Sequence, residues 1–302
     1  MRKNVAIGLA FLVGVTYVGL SSAEEARRLP ALDTASIEQL TGAKGAYNEK
    51  EKVFKVSVPR SDLKLTIAGV KMVPALGLTS WAAFTPADSG VMVMGDTVLL
   101  ESQVGPVMTT ALDSGLEVTA LHNHFFYDSP KVMFMHIGGH GDQQKLARGV
   151  GAVFSKIKET SAENASRPTV SIDPAQTSLD PKKIESIVGS NGDLKDGVFK
   201  LTFGRTSHMH GLEVGNAMGV NTWAAFAGSD TQAVVDGDFV VLESELQPVL
   251  LALRHADIEV VAIHNHMTNE EPRMVFLHYW GIGSTEKLAS GLKSALSKTK
   301  TL

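Results

Sequence analysis

Ten histidines and no cysteine leave imidazole as the principal transition-metal ligand in this 302-residue chain. A neutral imidazole binds zinc, copper, nickel or iron through one ring nitrogen. His122 and His124 stand two residues apart in a segment, Val118–His124, that reads as a strand. Residues i and i+2 of a strand share a face, so both rings point the same way. A second strand, Val132–Ile137, carries His136. A hairpin centred on Ser129 would set His122 opposite His136 and His124 opposite Phe134. Opposed Cβ atoms lie about 5 Å apart and i+2 neighbours about 6.6–7 Å apart, so three rings can close on one ion at bonds of about 2.0–2.1 Å. His264, His266 and His278 repeat the pattern around Glu271. Three imidazoles leave a coordination position open, which is the catalytic pattern rather than the closed structural one. The predicted cofactor is a divalent metal ion, zinc first. The competing reading keeps the histidines as hydrogen-bonded core residues.

Glu101 and Glu243 each end an apolar strand at equivalent positions. Each is a candidate catalytic base for metal-bound water or a fourth ligand, against the plainer reading of an exposed strand-end carboxylate. Asp96 and Asp238 follow glycine and are read as turn formers. Tyr127 and Asp128 lie in the histidine loop of the first half, where the second has Asn269 and Glu270. Trp81 and Trp223 read as strand core, and Met133 and Met135 as packing on the face away from His136. His140 becomes Ile282 in the second half, while His208 and His210 fall on Thr66 and Ala68 of the first. Their roles stay open; a fourth ligand from His140 would close the first site.

Those correspondences come from a shift of 142 residues that superposes Trp81–Ala147 on Trp223–Ala289 without a gap. Trp-Ala-Ala-Phe, Gly-Asp, Leu-Glu-Ser, Pro-Val, His-Asn-His and Lys-Leu-Ala all recur. One domain has been duplicated. The expected boundaries are a leader over 1–23, a first domain over 31–159, a linker over 160–179 and a second domain over 180–302. Short helices end near Gly42 and Gly189, and Val53–Val58 and Val198–Phe203 alternate as strands. Val91–Leu100 and Ala233–Leu242 suggest hairpins around Gly-Asp, Pro106 opens a helix closed by Gly115, and Asp142 and Ser284 cap the last helices. The fold class predicted is α+β: two tandem homologous domains, each a mainly antiparallel sheet with packed helices, forming a pseudo-dimer.

At 44% hydrophobic, 20% charged and a formal charge of −4, the chain has material for real cores and no basic field for nucleic acid. Without cysteine there are no disulfides, thiolate sites or lipidated cysteine. Arg2-Lys3, an apolar run over Val5–Leu20 and Ser21-Ser22-Ala23 have the order of a secretory signal peptide. A periplasmic or secreted protein is expected, with no integral membrane span after cleavage.

Val58-Pro59-Arg60-Ser61-Asp62-Leu63, Ser80-Trp81-Ala82-Ala83-Phe84, Met94-Gly95-Asp96, Leu121-His122-Asn123-His124 and Met133–Asp142 together resemble the LppY/LpqO family of exported bacterial proteins. The resemblance covers nearly the whole chain beyond the leader and implies one or two copies of a domain of unassigned function. The first copy is nearer the family pattern. The second departs at Gly204-Arg205-Thr206, Trp280 and Ile282. The His-x-His…His pattern is also similar to the zinc hairpin of the plant-and-prokaryote conserved domain and of acetolactate decarboxylase, an analogy of site that names no substrate. Two functions are expected: a metal-dependent hydrolase or lyase, or a non-catalytic protein that binds metal or a small-molecule or envelope ligand.

Overall fold

The computed structural model describes residues 31–161 and 168–300; the expected leader and positions 162–167 of the expected linker lie outside them. The first copy runs α1 (Thr34–Thr41), β1 (Gly45–Asn48), β2 (Val53–Pro59), β3 (Thr66–Ile67), β4 (Val70–Lys71), β5 (Thr79–Ala87), β6 (Gly90–Leu100), α2 (Glu101–Asp113), β7 (Glu117–His122), β8 (Asp128–Ser129), β9 (Val132–Gly141) and α3 (Gln143–Glu159). The second runs α4 (Pro181–Val188), β10 (Asp193–Lys195), β11 (Val198–Gly204), β12 (Ser207–Met209), β13 (Leu212–Val214), β14 (Asn221–Gly228), β15 (Ala233–Leu242), α5 (Glu243–His255), β16 (Glu259–His264), β17 (Glu270–Glu271), β18 (Met274–Gly283) and α6 (Thr285–Leu296). Among the described residues no helix is long and apolar enough to cross a membrane.

The long strands form one 12-stranded sheet in the order β1-β2-β5-β6-β9-β7-β16-β18-β15-β14-β11-β10. That order is a palindrome about the β7–β16 seam, where Leu121 faces Ile263 in an antiparallel pair. The two residues are one repeat apart, so a pseudo-two-fold axis passes between them. The α+β pseudo-dimer expected from the repeat is the architecture found.

Helices cover one face. Ile37, Val107, Leu121, Met135 and Val150 of the first copy share a single core with Ile184, Val249, Ile263, Leu277 and Leu292 of the second. The opposite face carries two smaller cores, Val98, Val132 and Phe134 with Leu65, and Val240, Met274 and Phe276 with Val214. Three-stranded sheets, β4-β3-β8 and β13-β12-β17, flank these smaller cores. Across the seam the Gln247 amide both donates to and accepts from the Val118 backbone, each at 2.9 Å, and His255 meets Asp113 at 2.9 Å.

Three expectations about elements need correction. Val91–Leu100 and Ala233–Leu242 are not hairpins: each is a single strand running through Gly-Asp. Gly95 is there for close approach, because a Cβ would lie 2.7 Å from the Trp81 carbonyl oxygen and 2.9 Å from Ile137 Cγ1. Gly95→Ala should destabilise the first copy by about 1–3 kcal/mol, as overpacking does; a urea unfolding midpoint unchanged from wild type would contradict this. The helix assigned to Pro106 begins at Glu101, five residues earlier. It starts where β6 stops, and Gln103 accepts the Leu100 N–H at 2.9 Å. The caps at Asp142 and Ser284 and the left-handed glycines Gly42 and Gly189 are as expected.

The third correction concerns Gly204-Arg205-Thr206. Ser57 pairs with Trp81 while Thr202 pairs with Trp223, and Arg60 N and Arg205 N bond to the carbonyls of Leu78 and Val220. Arg205 therefore occupies the place of Arg60, and the apparent departure is a change of spacing. Each guanidinium is buried and donates to a β-strand carbonyl, Val98 or Val240. The carboxylate that answers it has moved. Arg60 is held by Asp62 at 2.8 Å, with neutral Gln103 at 3.2 Å. Arg205 is held by Glu245, which replaces Gln103, at 2.5 Å. Burial raises the Glu245 pKa, but the Arg205 bonds and the N–H groups of Lys300 and Leu242 outweigh it, leaving a net lowering. A depressed folded pKa stabilises above the unfolded value of about 4.3 and loses that stabilisation as pH falls through the folded value. Thermal melts from pH 7 to 3 should show wild type losing its margin over Glu245→Gln below about pH 4; a margin constant with pH would refute this.

Candidate metal centre

The histidines arrive on one face, by a register different from that of a simple hairpin. His122 pairs with Phe134 and His136 with Ala120; likewise His264 pairs with Phe276 and His278 with Ala262. The slip is two residues from the expected pairing, so the face is kept because the strand period is two. The loop is not symmetrical: Thr66 and Ile67 of β3 take Ser129 and Asp128 as partners. The Asp128 carboxylate then accepts the Val132 N–H at 2.8 Å, as Glu270 accepts that of Met274 at 3.0 Å. Asp128 thus serves the loop. The strand ends at His122, and His124 lies beyond it with its ring stacked on Phe134 at 3.4 Å.

In the first copy the His122 ring centroid is 5.2 Å from those of His124 and His136. In the second, His264 is 5.0 Å from His266 and 4.7 Å from His278. There the two Nε2 atoms of His264 and His266 approach to 3.1 Å. Two nitrogens on one tetrahedral ion at about 2.0–2.1 Å would stand about 3.3 Å apart. Among the described residues no three such side chains are already placed to hold an ion. The first-copy rings are near-parallel, at 10° and 30°, so their nitrogens do not all converge. Histidine χ2 is a broad torsion, and turning a ring about it is cheap. Burial lowers the pKa values of His124, His264 and His266, which favours the neutral form a metal requires.

The carboxylates brought to these rings are Asp96 and Asp238. The reading of both as turn formers was wrong. Asp96 faces His136 across β6–β9, and Asp238 faces His278 across β15–β18. Asp96 Oδ1 is 4.0 Å from His136 Nε2; Asp238 Oδ2 is 3.5 Å from His266 Nε2 and 3.9 Å from His278 Nδ1. Both are nearly buried, and Asp96 Oδ1, Asp238 Oδ1 and His264 Nδ1 are buried with no hydrogen-bond partner. Burial raises the Asp96 pKa against the pull of His136, His124 and His122, and raises that of Asp238 to about 6 against His278. Buried polar atoms are rarely left unpaired, so an unanswered oxygen beside three imidazoles fits a cation site. The signal was present: with 91–100 as one strand, Asp96 shares the parity of Met94 and Val98, the face away from the helices.

Glu101 and Glu243 open α2 and α5 and meet Lys131 at 3.9 Å and Arg273 at 3.4 Å. His140 lies four residues along β9 from His136, about 13 Å at strand rise, with its Nε2 3.5 Å from Ser89 Oγ. It does not complete the first set. His208 faces Glu271 as Thr66 faces Ser129, so the strict repeat shift holds there; His210 sits in a left-handed turn. Trp81 and Trp223 are only half-buried on the histidine face, beneath Lys55 at 4.0 Å and Lys200 at 4.5 Å.

A family model described as a Domain of Unknown Function (DUF1259) matches twice, over residues 35–156 and 182–298. The chain belongs to this family. Each match spans one helix-backed half of the sheet, with its own histidine set, so the protein is two DUF1259 domains in tandem. No curated protein and no solved structure matches the chain.

Proposed function

We propose that this tandem DUF1259 protein is an exported metal-binding protein with a His-x-His…His site in each copy. The observation that carries the reading is three imidazoles beside a buried carboxylate with an unpartnered oxygen, present twice. His122, His124 and His136 would hold one divalent ion, zinc first, and His264, His266 and His278 another. Asp96 and Asp238 either complete the donor set or orient His136 and His278, as carboxylates do behind metal-bound histidines. When bound, such an ion supplies Lewis-acid activation of water or of a substrate oxygen. That is the basis for reading the protein as a metal-dependent hydrolase or lyase. Glu101 and Glu243, which open α2 and α5 five residues beyond Asp96 and Asp238, are the candidates to take or return a proton.

Binding without turnover is the second reading. It is favoured by the exposure of His136 and His278, whose side chains are 35% and 45% accessible on an open sheet face. The apolar leader segment and the resemblance to LppY/LpqO proteins support export. The test is metal content by mass spectrometry on untagged protein, before and after reconstitution with zinc. About two equivalents per chain are expected. None after reconstitution would sink the metal reading and return the histidines to architecture.

A further inference from the structure

We infer that the two histidine sets form one composite site across the β7–β16 seam, built to hold two ions for a single ligand with anionic groups at both ends. The inference rests on the metal reading above and on the seam register. Leu121 faces Ile263, both on the helix side of the sheet. Their neighbours His122 and His264 therefore both point to the open face. Continuing the antiparallel register sets His122 opposite Ala262 and His264 opposite Ala120. The two histidines are then diagonal neighbours across the axis, about 7–8 Å apart.

The outer strands extend the pattern, because Ala120 also faces His136 and Ala262 also faces His278. His136, His122, His264 and His278 thus zigzag over four adjacent strands, β9, β7, β16 and β18. His124 and His266 complete the two ends. Ala120 and Ala262 present small side chains at the seam between the sets, beside the exposed bulge residues Thr119 and Val261. Ions centred on the two sets would stand about two strand spacings apart, roughly 10 Å. Each would present its open position on the same face. The buried Asp96 and Asp238 lie one strand further out on either side, away from the space between the ions. A ligand with two anionic oxygen groups about 10 Å apart spans the pair.

The test loads the full chain with copper(II) and reads continuous-wave electron paramagnetic resonance. Two equivalents with a dipolar-broadened spectrum are expected. His136→Ala or His278→Ala alone should return the narrow spectrum of isolated copper. Two bound equivalents without broadening would overturn the composite site while leaving the metal reading intact. No bound copper would overturn both. For the ligand, azelate, whose carboxylates lie about 10 Å apart when extended, is compared with acetate. Azelate should bind wild type at least ~10-fold more tightly than it binds either variant, through the effective concentration of its second end. Acetate should bind all three alike per site. Equal azelate affinities would overturn the bridging ligand.

Discussion

Protein carrying His136→Ala should hold about one equivalent of zinc less than wild type, with the second copy still loaded. His278→Ala should show the converse, and the double variant should hold none. Loss of one of three direct ligands should weaken that copy's affinity by more than the ~10–100-fold that loss of an outer carboxylate causes. Asp96→Asn and Asp238→Asn, which keep shape and remove charge, should fall within that smaller range where the aspartates orient the histidines, and a larger loss would make them direct donors. Competition against a zinc-sensitive chelator measures all four. The metal-free melting temperature separates ligation from architecture. Neither His136 nor His278 is buried, so their removal should change metal-free stability only slightly, by about 0.5 kcal/mol. Unaltered zinc affinity together with a large loss of metal-free stability would favour the architectural reading.

Glu245→Ala should cost about 3–5 kcal/mol, the toll of leaving a buried charge without its partner. Arg205 is buried in the second copy, and its Nε already has no hydrogen-bond partner. Removing Glu245 takes away its carboxylate and also the acceptor for the Leu242 and Lys300 N–H groups. Gln103→Ala in the first copy should cost less, because Arg60 keeps its paired contacts to Asp62. Denaturant titrations of the two variants compare them directly. Equal losses would mean that the relocated carboxylate carries no special weight. Adding Arg205→Met to Glu245→Ala should recover much of the loss, since an apolar replacement of a buried pair is often tolerated.

The repeat made much of this architecture legible. Ile37 and Ile184 before left-handed glycines, and the caps Asp142 and Ser284, are local signals that tertiary structure left alone. The face of the histidines was legible because face depends only on parity. The pairing was not, because Asp128 and Ser129 leave the hairpin to join β3, a contact set by residues some 60 positions away. Asp96 was missed because Gly-Asp carries turn chemistry in isolation. Here the glycine lets Trp81 and Ile137 approach, and the aspartate is buried beside it. The seam was out of reach: Thr119 interrupts the regular β7–β9 register, and nothing local tells β7 that its other neighbour is β16.

The seam also bears on how such a protein is made. A first half alone would end its sheet on β7, leaving N–H and C=O groups around Leu121 unanswered. An open, apolar edge of that kind invites pairing with any other chain. The newly made first half is in that position until the second follows. Covalent tethering supplies the missing neighbour at an effective concentration in the millimolar range, ahead of other chains. Duplication would thus act as a safeguard during biogenesis, the second half covering the edge that the first half leaves open. A gene split between the halves would therefore be expected to yield aggregates or swapped assemblies unless both pieces are produced together.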